Sequence, residues 1–196
     1  METTTNIERP SQTEKKAGTT SDFQIGQAVV YGINGRCKIV GIEKMTVGGE
    51  TKTYFKLEPQ KLGPIQKTPK KQTSIWIPVE TAKTRGLRTA ATEEIATEVL
   101  EILKSKDTYF TLDEPFHKTQ PQLDQIMIDE GAKGMAKAVS YIAGLKAKSN
   151  SIAPDAAKMY DAIYGVLIRE LSEKLQMTLG QIELDIQKPL ELKGTD

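Results

Sequence analysis

Four lysines, Lys61, Lys67, Lys70 and Lys71, stand between residues 59 and 73 with no acid among them. Ammonium groups without carboxylate neighbours suit phosphate or an acidic protein surface, although long hairpin tips are commonly solvated and charged in any case. The one tryptophan, Trp76, follows directly, in an Ile-Trp-Ile-Pro run. Cys37 and His117 are the only residues of their types, so neither a disulfide framework nor a Cys/His zinc site can be assembled from this chain. Catalytic signatures are missing too: there is no Walker lysine motif, no strand-linked G-x-G-x-x-G and no G-x-S-x-G elbow. Glu93-Glu94 and the pair Glu170/Glu173 read as solvated helix faces, so a non-enzyme is expected, with no cofactor and no small-molecule substrate. The chemistry on offer is that of holding macromolecules.

Composition narrows the partner. With 196 residues and 38% apolar content the chain can bury a sizeable core, and two compact units are expected. A net charge of +1 means that nucleic-acid contact must come from local clusters. No apolar run approaches the roughly 20 residues of a membrane span. Residues 1–21 offer little to bury and lack an apolar h-region, so they read as a disordered tail and not a signal peptide. A single cysteine is compatible with a cytoplasmic setting.

Residues 22–82 carry the period of a small antiparallel sheet. Strands are expected at 28–31, 36–43, 51–58 and 73–79, joined at Asn34-Gly35 and Gly48-Gly49, which supply the positive φ of tight hairpin turns. Alternation puts Thr53, Phe55 and Leu57 on one face and Tyr54 and Lys56 on the other. In the last strand Ile75, Ile77 and Val79 oppose Ser74, Trp76 and Pro78. The aliphatic faces make the core. Trp76 is left on the far side within reach of Tyr54 and Lys56, where it either docks a partner or covers an edge or the helical half.

Residues 83–188 change period. Thr92 caps a helix over about 92–105, and 106–120 reads as a connection holding Tyr109, Phe110 and Phe116. Pro121 fits the first turn of a short helix with Leu123, Ile126 and Met127. Further helices carry Met135, Val139, Ile142 and Leu145, then Met159 through Leu175, then a capping box at Thr178. The stripes are core. Exposed cations at helix ends, Lys118, Lys146, Lys148 and Arg169, are candidates for phosphate contact, and a lysine at a helix C-terminus also satisfies the helix dipole. Residues 189–196 are expected to be a flexible end. The fold class is α+β, a small antiparallel β-module followed by four or five short helices.

Phe23-Gln-Ile-Gly26, Val29-Val30-Tyr31, Asn34-Gly35, Ile42-Glu43, Gly49, Tyr54, Ile77-Pro78-Val79 and Gly86-Leu87-Arg88 together resemble the CarD/CdnL family of bacterial transcription regulators. The N-terminal half of that family is also similar to the RNA-polymerase-interacting module of the transcription-repair coupling factor. The resemblance spans about residues 23–176 and after Arg88 is architectural, ending in a Leu-x-x-Glu-Leu pattern at 167–171. It implies that the β-module is Tudor-like and binds a lobe of the RNA polymerase β subunit, and that the helical domain touches promoter DNA at the upstream edge of the bubble and favours the open complex. The family's polymerase-contacting positions fall on Lys44 and Trp76, often arginines in the family; Tyr54 and Lys56 are added from the face analysis. The family's DNA-wedging tryptophan has no counterpart, and Phe116, followed by Lys118, is the nearest match. Gln27 and Gly32 replace a usual acid and a usual proline, and the third hairpin is longer, as in a divergent member.

Two readings follow. One is a monomeric polymerase-bound regulator with weak, largely sequence-independent promoter DNA contact; the other is a protein-protein adaptor of the same fold without a DNA role.

Overall fold

The computed structural model of the protein describes residues 22–60, 74–149 and 151–194. The expected tail at 1–21 and the lysines at 61, 67, 70 and 71 lie outside the described residues. Among the described residues five strands, β1 (Ala28–Tyr31), β2 (Arg36–Val47), β3 (Glu50–Pro59), β4 (Ile75–Pro78) and β5 (Leu87–Arg88), form one antiparallel sheet in the order β4-β3-β2-β1-β5. The architecture is the expected α+β one. Gly48 and Gly49, at φ 62° and 85°, close the β2–β3 hairpin, a geometry that side chains with a Cβ resist. β2 and β3 outrun the strands expected from alternation, since their polar ends continue the pairing past the core.

Phe55 and Leu57 on β3, Ile39 and Cys37 on β2, Val29 on β1 and Ile77 on β4 are buried together, and Phe23 packs edge-on against Phe55 at 6.1 Å. Burial of each large side chain contributes about 1.5–3 kcal/mol. The register slips between Ile39 and Gly41: Ile39 faces Leu57, but Gly41 faces Lys56 and Ile42 faces Phe55. This bulge reverses the faces of β2 beyond Val40. β5 is too short for periodicity to reveal; it pairs Leu87 and Arg88 with β1, so the β-module extends past the expected boundary at 82/83.

Among the described residues five helices follow: α1 (Glu93–Lys104), α2 (Phe116–Asp129), α3 (Ala132–Ser149), α4 (Pro154–Leu175) and α5 (Leu179–Glu191). Thr92 caps α1 and accepts from the Ile95 N–H, and the Thr178 capping box is present with Gln181. α2 begins earlier than expected, so Pro121 lies inside the helix and not in its first turn. α3 is the bundle's central rod, with Met135, Val139, Tyr141 and Ile142 buried. It runs so close to α2 that a Cβ on Gly134 would stand 2.1 Å from the Ile126 carbonyl oxygen. None of the described helices is long and apolar enough to cross a membrane.

The end of the chain departs from the expected flexible segment. α5 continues through Glu191, and the Lys193 ammonium is wholly buried, donating to the carbonyls of Ile102 at 2.8 Å and Asp107 at 3.2 Å. Those carbonyls lie at and beyond the end of α1, where helix carbonyls lack partners of their own.

Candidate functional site

The strand pairing gathers Trp76, Lys56 and Tyr54 on the outer face of the sheet. Trp76 stands opposite Lys56, and Tyr54 opposite Pro78. The Lys56 ammonium lies 5.1 Å from the centre of the Trp76 ring and 3.9 Å from a Glu43 carboxylate oxygen. The Trp76 side chain is half-buried and lies beside a cation. An amphipathic aromatic held by a lysine is an arrangement typical of interface anchors.

Lys44 does not join this face. It pairs with Thr53, two residues along from Phe55, and so is exposed on the core side of the hairpin beyond the last buried residues. The bulge puts Glu43, opposite Tyr54, on the outer face instead. Beyond Ile39 the edge of β2 away from β3 has no strand partner among the described residues. Lys44 lies within that stretch of β2.

The helical candidates divide. Phe116, expected to wedge at a base step, is only 8% exposed and belongs to the helical core, because α2 begins at it and turns the ring inward. A ring in that position cannot reach a groove without leaving the core. Lys118 is exposed in the first turn of α2, and His117 is exposed beside it. Lys146 and Lys148 are exposed in the last turn of α3, where Lys148 meets Asp113 at 2.7 Å and holds its carboxyl below the usual range. Arg169 is exposed within α4 and not at its end, lining the cleft between the two halves.

Tyr109 is the aromatic of the α1–α2 connection that the fold turns outward. It is 39% exposed and adopts φ 67°, a conformation uncommon for a residue with a Cβ. The Lys137 ammonium sits 5.7 Å from its ring centre, and its hydroxyl lies 3.3 Å from Ser105 Oγ. Its neighbours are tied down on both sides. Asp107 O accepts from Lys193, and Phe110 packs edge-on against buried Tyr141 at 5.7 Å. Backbone strain kept by such anchoring is a feature of functional sites.

One further constellation joins the halves. Arg88 on β5 sends both terminal nitrogens to the Glu170 carboxylate of α4, each at 2.7 Å, and the Ala91 N–H donates to the same carboxylate at 2.7 Å. Glu170 is therefore not the solvated helix-face acid expected from its polarity; it is a buried acceptor at the junction. Its partner, the arginine of Gly86-Leu87-Arg88, lies 82 residues away. No periodicity links positions so distant.

Chemistry of other kinds has little to work with. Burial pushes the Cys37 thiol up to about 11, far from the thiolate needed of a nucleophile, and its Sγ lies against the Gly35 carbonyl. Among the described residues no group of three or more His, Cys, Asp or Glu side chains is placed to hold a metal ion.

No curated protein matches the chain. Residues 23–91, about a third of the sequence, match the family model of the CarD-like/TRCF RID domain. The match starts at Phe23, which packs on Phe55, and closes at Ala91, whose N–H reaches Glu170. This sheet module, from its first core aromatic to the residues that join it to the bundle, is similar to the CarD-like/TRCF RID domains, RNA-polymerase-interacting modules.

Proposed function

We propose that the protein is a non-enzymatic transcription regulator of the CarD/CdnL type. It binds the β-subunit lobe of bacterial RNA polymerase through its sheet and favours the open promoter complex through its helical half. The observation that carries this reading is the outward cluster of Trp76, Lys56 and Tyr54 on a sheet that matches an RNA-polymerase-interacting domain. Trp76 is the anchor, and Lys56 and Tyr54 frame it. Lys44 contributes from the open edge of β2, where a partner strand would find unpaired backbone groups. The protein acts as a cytoplasmic monomer and needs no cofactor.

In the helical half Tyr109 takes the role first given to Phe116. It is the exposed aromatic of the same connection, and a phenol ring offers both a stacking face and a polar tip. Lys118, Lys146, Lys148 and Arg169 add phosphate contacts, salt-sensitive and with little sequence reading. The Lys148–Asp113 pair is exposed and so exchanges readily for a phosphate. Contacts available only when the bubble is open stabilise that state by their differential energy.

A second reading, an adaptor without DNA contact, is favoured by the burial of Phe116 and the mild net charge. Two measurements separate them. Interferometry against the isolated β-subunit lobe is expected to show saturable binding that Trp76→Ala and Lys44→Glu weaken. Promoter open-complex lifetime is expected to rise with wild-type protein and to fall back with Tyr109→Ala or Lys118→Ala. Lobe binding with no change in lifetime would establish the adaptor.

A further inference from the structure

The chain crosses once from sheet to bundle, in the short segment 89–92 between β5 and α1. A single covalent crossing leaves the angle between two bodies free unless other contacts hold it. At the junction Val30 and Ala91 join the helical core, and Val166 approaches Gly35. Beside them a cleft of about 280 Å³ separates the β1–β2 turn from α4. Apolar contact is also non-directional and tolerates sliding.

Among the described residues two ion pairs span the same junction. Arg36–Glu173 is one-third exposed on each side, and such pairs contribute little. Arg88–Glu170 is different in kind. Its side chains are 19% and 8% exposed, both nitrogens of the planar fork meet both oxygens, and the Ala91 N–H adds a third donor. Arg88 is itself held in place, since its Nη2 lies 3.6 Å from Met135 Sδ on α3, and at Gly131, in the α2–α3 turn, a Cβ would stand 3.0 Å from Arg88 Cδ.

We infer that Arg88 and Glu170 are positioning residues: their forked contact sets the angle at which the polymerase-interacting module presents the helical half. This rests on the function proposed above for its consequence, though not for its geometry. A second arm adds binding only when linkage puts it where its target is, and a loosened joint dilutes that arm without touching either surface.

Removing one partner alone would strand a buried charge and unfold the region. The informative variant is therefore Arg88→Met with Glu170→Gln, which removes both charges and keeps an amide oxygen for the Ala91 N–H. Spin labels at Lys52→Cys and Glu183→Cys, both exposed, report the distance between sheet and bundle, and buried Cys37 stays unlabelled. Pulsed dipolar spectroscopy is expected to give one narrow distance in the parent and a distribution about twice as broad, or displaced, in the variant. Arg36→Ala is expected to leave the parent distribution unchanged. On polymerase, lobe affinity should stay within about twofold while the gain in open-complex lifetime falls about fivefold or more.

A folded variant with the parent's narrow distance overturns the inference. If the double variant does not fold, Arg88→Lys, which keeps the charge and loses the fork, replaces it under the same criterion. A broadened distance in a protein whose parent never prolongs the open complex upholds the positioning role and removes the proposed function, so the two fail separately.

Discussion

Trp76 gains its value from what surrounds it. Its ring is half-buried, so part of the ordering cost of an interface side chain is already met, and Lys56 holds a cation over one face. Trp76→Ala is expected to weaken binding to the polymerase lobe by about 2 kcal/mol, roughly thirtyfold, measured by interferometry on variants of unchanged melting temperature. Lys56→Ala should do less, about 0.5–1 kcal/mol, because Glu43 already shares the ammonium. Lys193 makes a different kind of prediction. Burial lowers its pKa from 10.5 to about 8 against the opposing pull of Asp107. Between those values the unfolded chain binds the extra proton and the folded one does not, so stability rises with pH through this window and levels off above it. The gain is about 3 kcal/mol at most. Urea midpoints from pH 7.5 to 9, below the range in which the raised Cys37 thiol contributes an opposing slope, should show this rise in the wild type and lose it in Lys193→Met. That variant should also be weaker throughout by about 1–3 kcal/mol, since two carbonyls lose their donor.

At the scale of elements, α3 depends on closeness. With Gly134 against the Ile126 carbonyl, Gly134→Ala must push α2 from α3, and a loss of about 2–3 kcal/mol is expected by denaturant titration. Gly180, whose added Cβ would meet nothing, is the control: Gly180→Ala should be neutral or slightly stabilising. The same contrast explains what was legible in the sequence. Strand alternation around Phe55, Leu57 and Ile77, the Thr92 and Thr178 caps and the apolar helix stripes are local signals, readable within a few residues of one another. The outward placement of Trp76 beside Lys56 followed from them. The β2 bulge was not legible, because one unpaired residue at Val40 leaves no trace in composition yet turns Glu43 outward and Lys44 away. Phe116 and Glu170 misled for a related reason. The resemblance pointed to Phe116 and charge alone set Glu170 on a solvated face, and only the packing of distant elements buries them.

For the molecule as a whole, the two halves offer unequal affinities, and the proposed action needs that inequality. Net charge of +1 gives little long-range attraction to DNA, so the free protein is expected to show negligible duplex binding at physiological salt. Bound to polymerase, the helical half is instead presented to the promoter at high effective concentration, where contacts too weak to detect in isolation become sufficient. A differential contact of about 1.4 kcal/mol lengthens the open complex tenfold. One exposed aromatic, Tyr109, with one or two lysines is enough for that magnitude. Open-complex decay after heparin challenge, measured across a salt series, tests the whole arrangement. The protein's effect should shrink as salt rises while lobe binding through Trp76 changes less, because ring burial is screened far less than phosphate contact. Steep salt-dependent DNA binding by the free protein would instead place the affinity in the helical half, and the joint at Arg88 and Glu170 would then have no bearing on promoter opening.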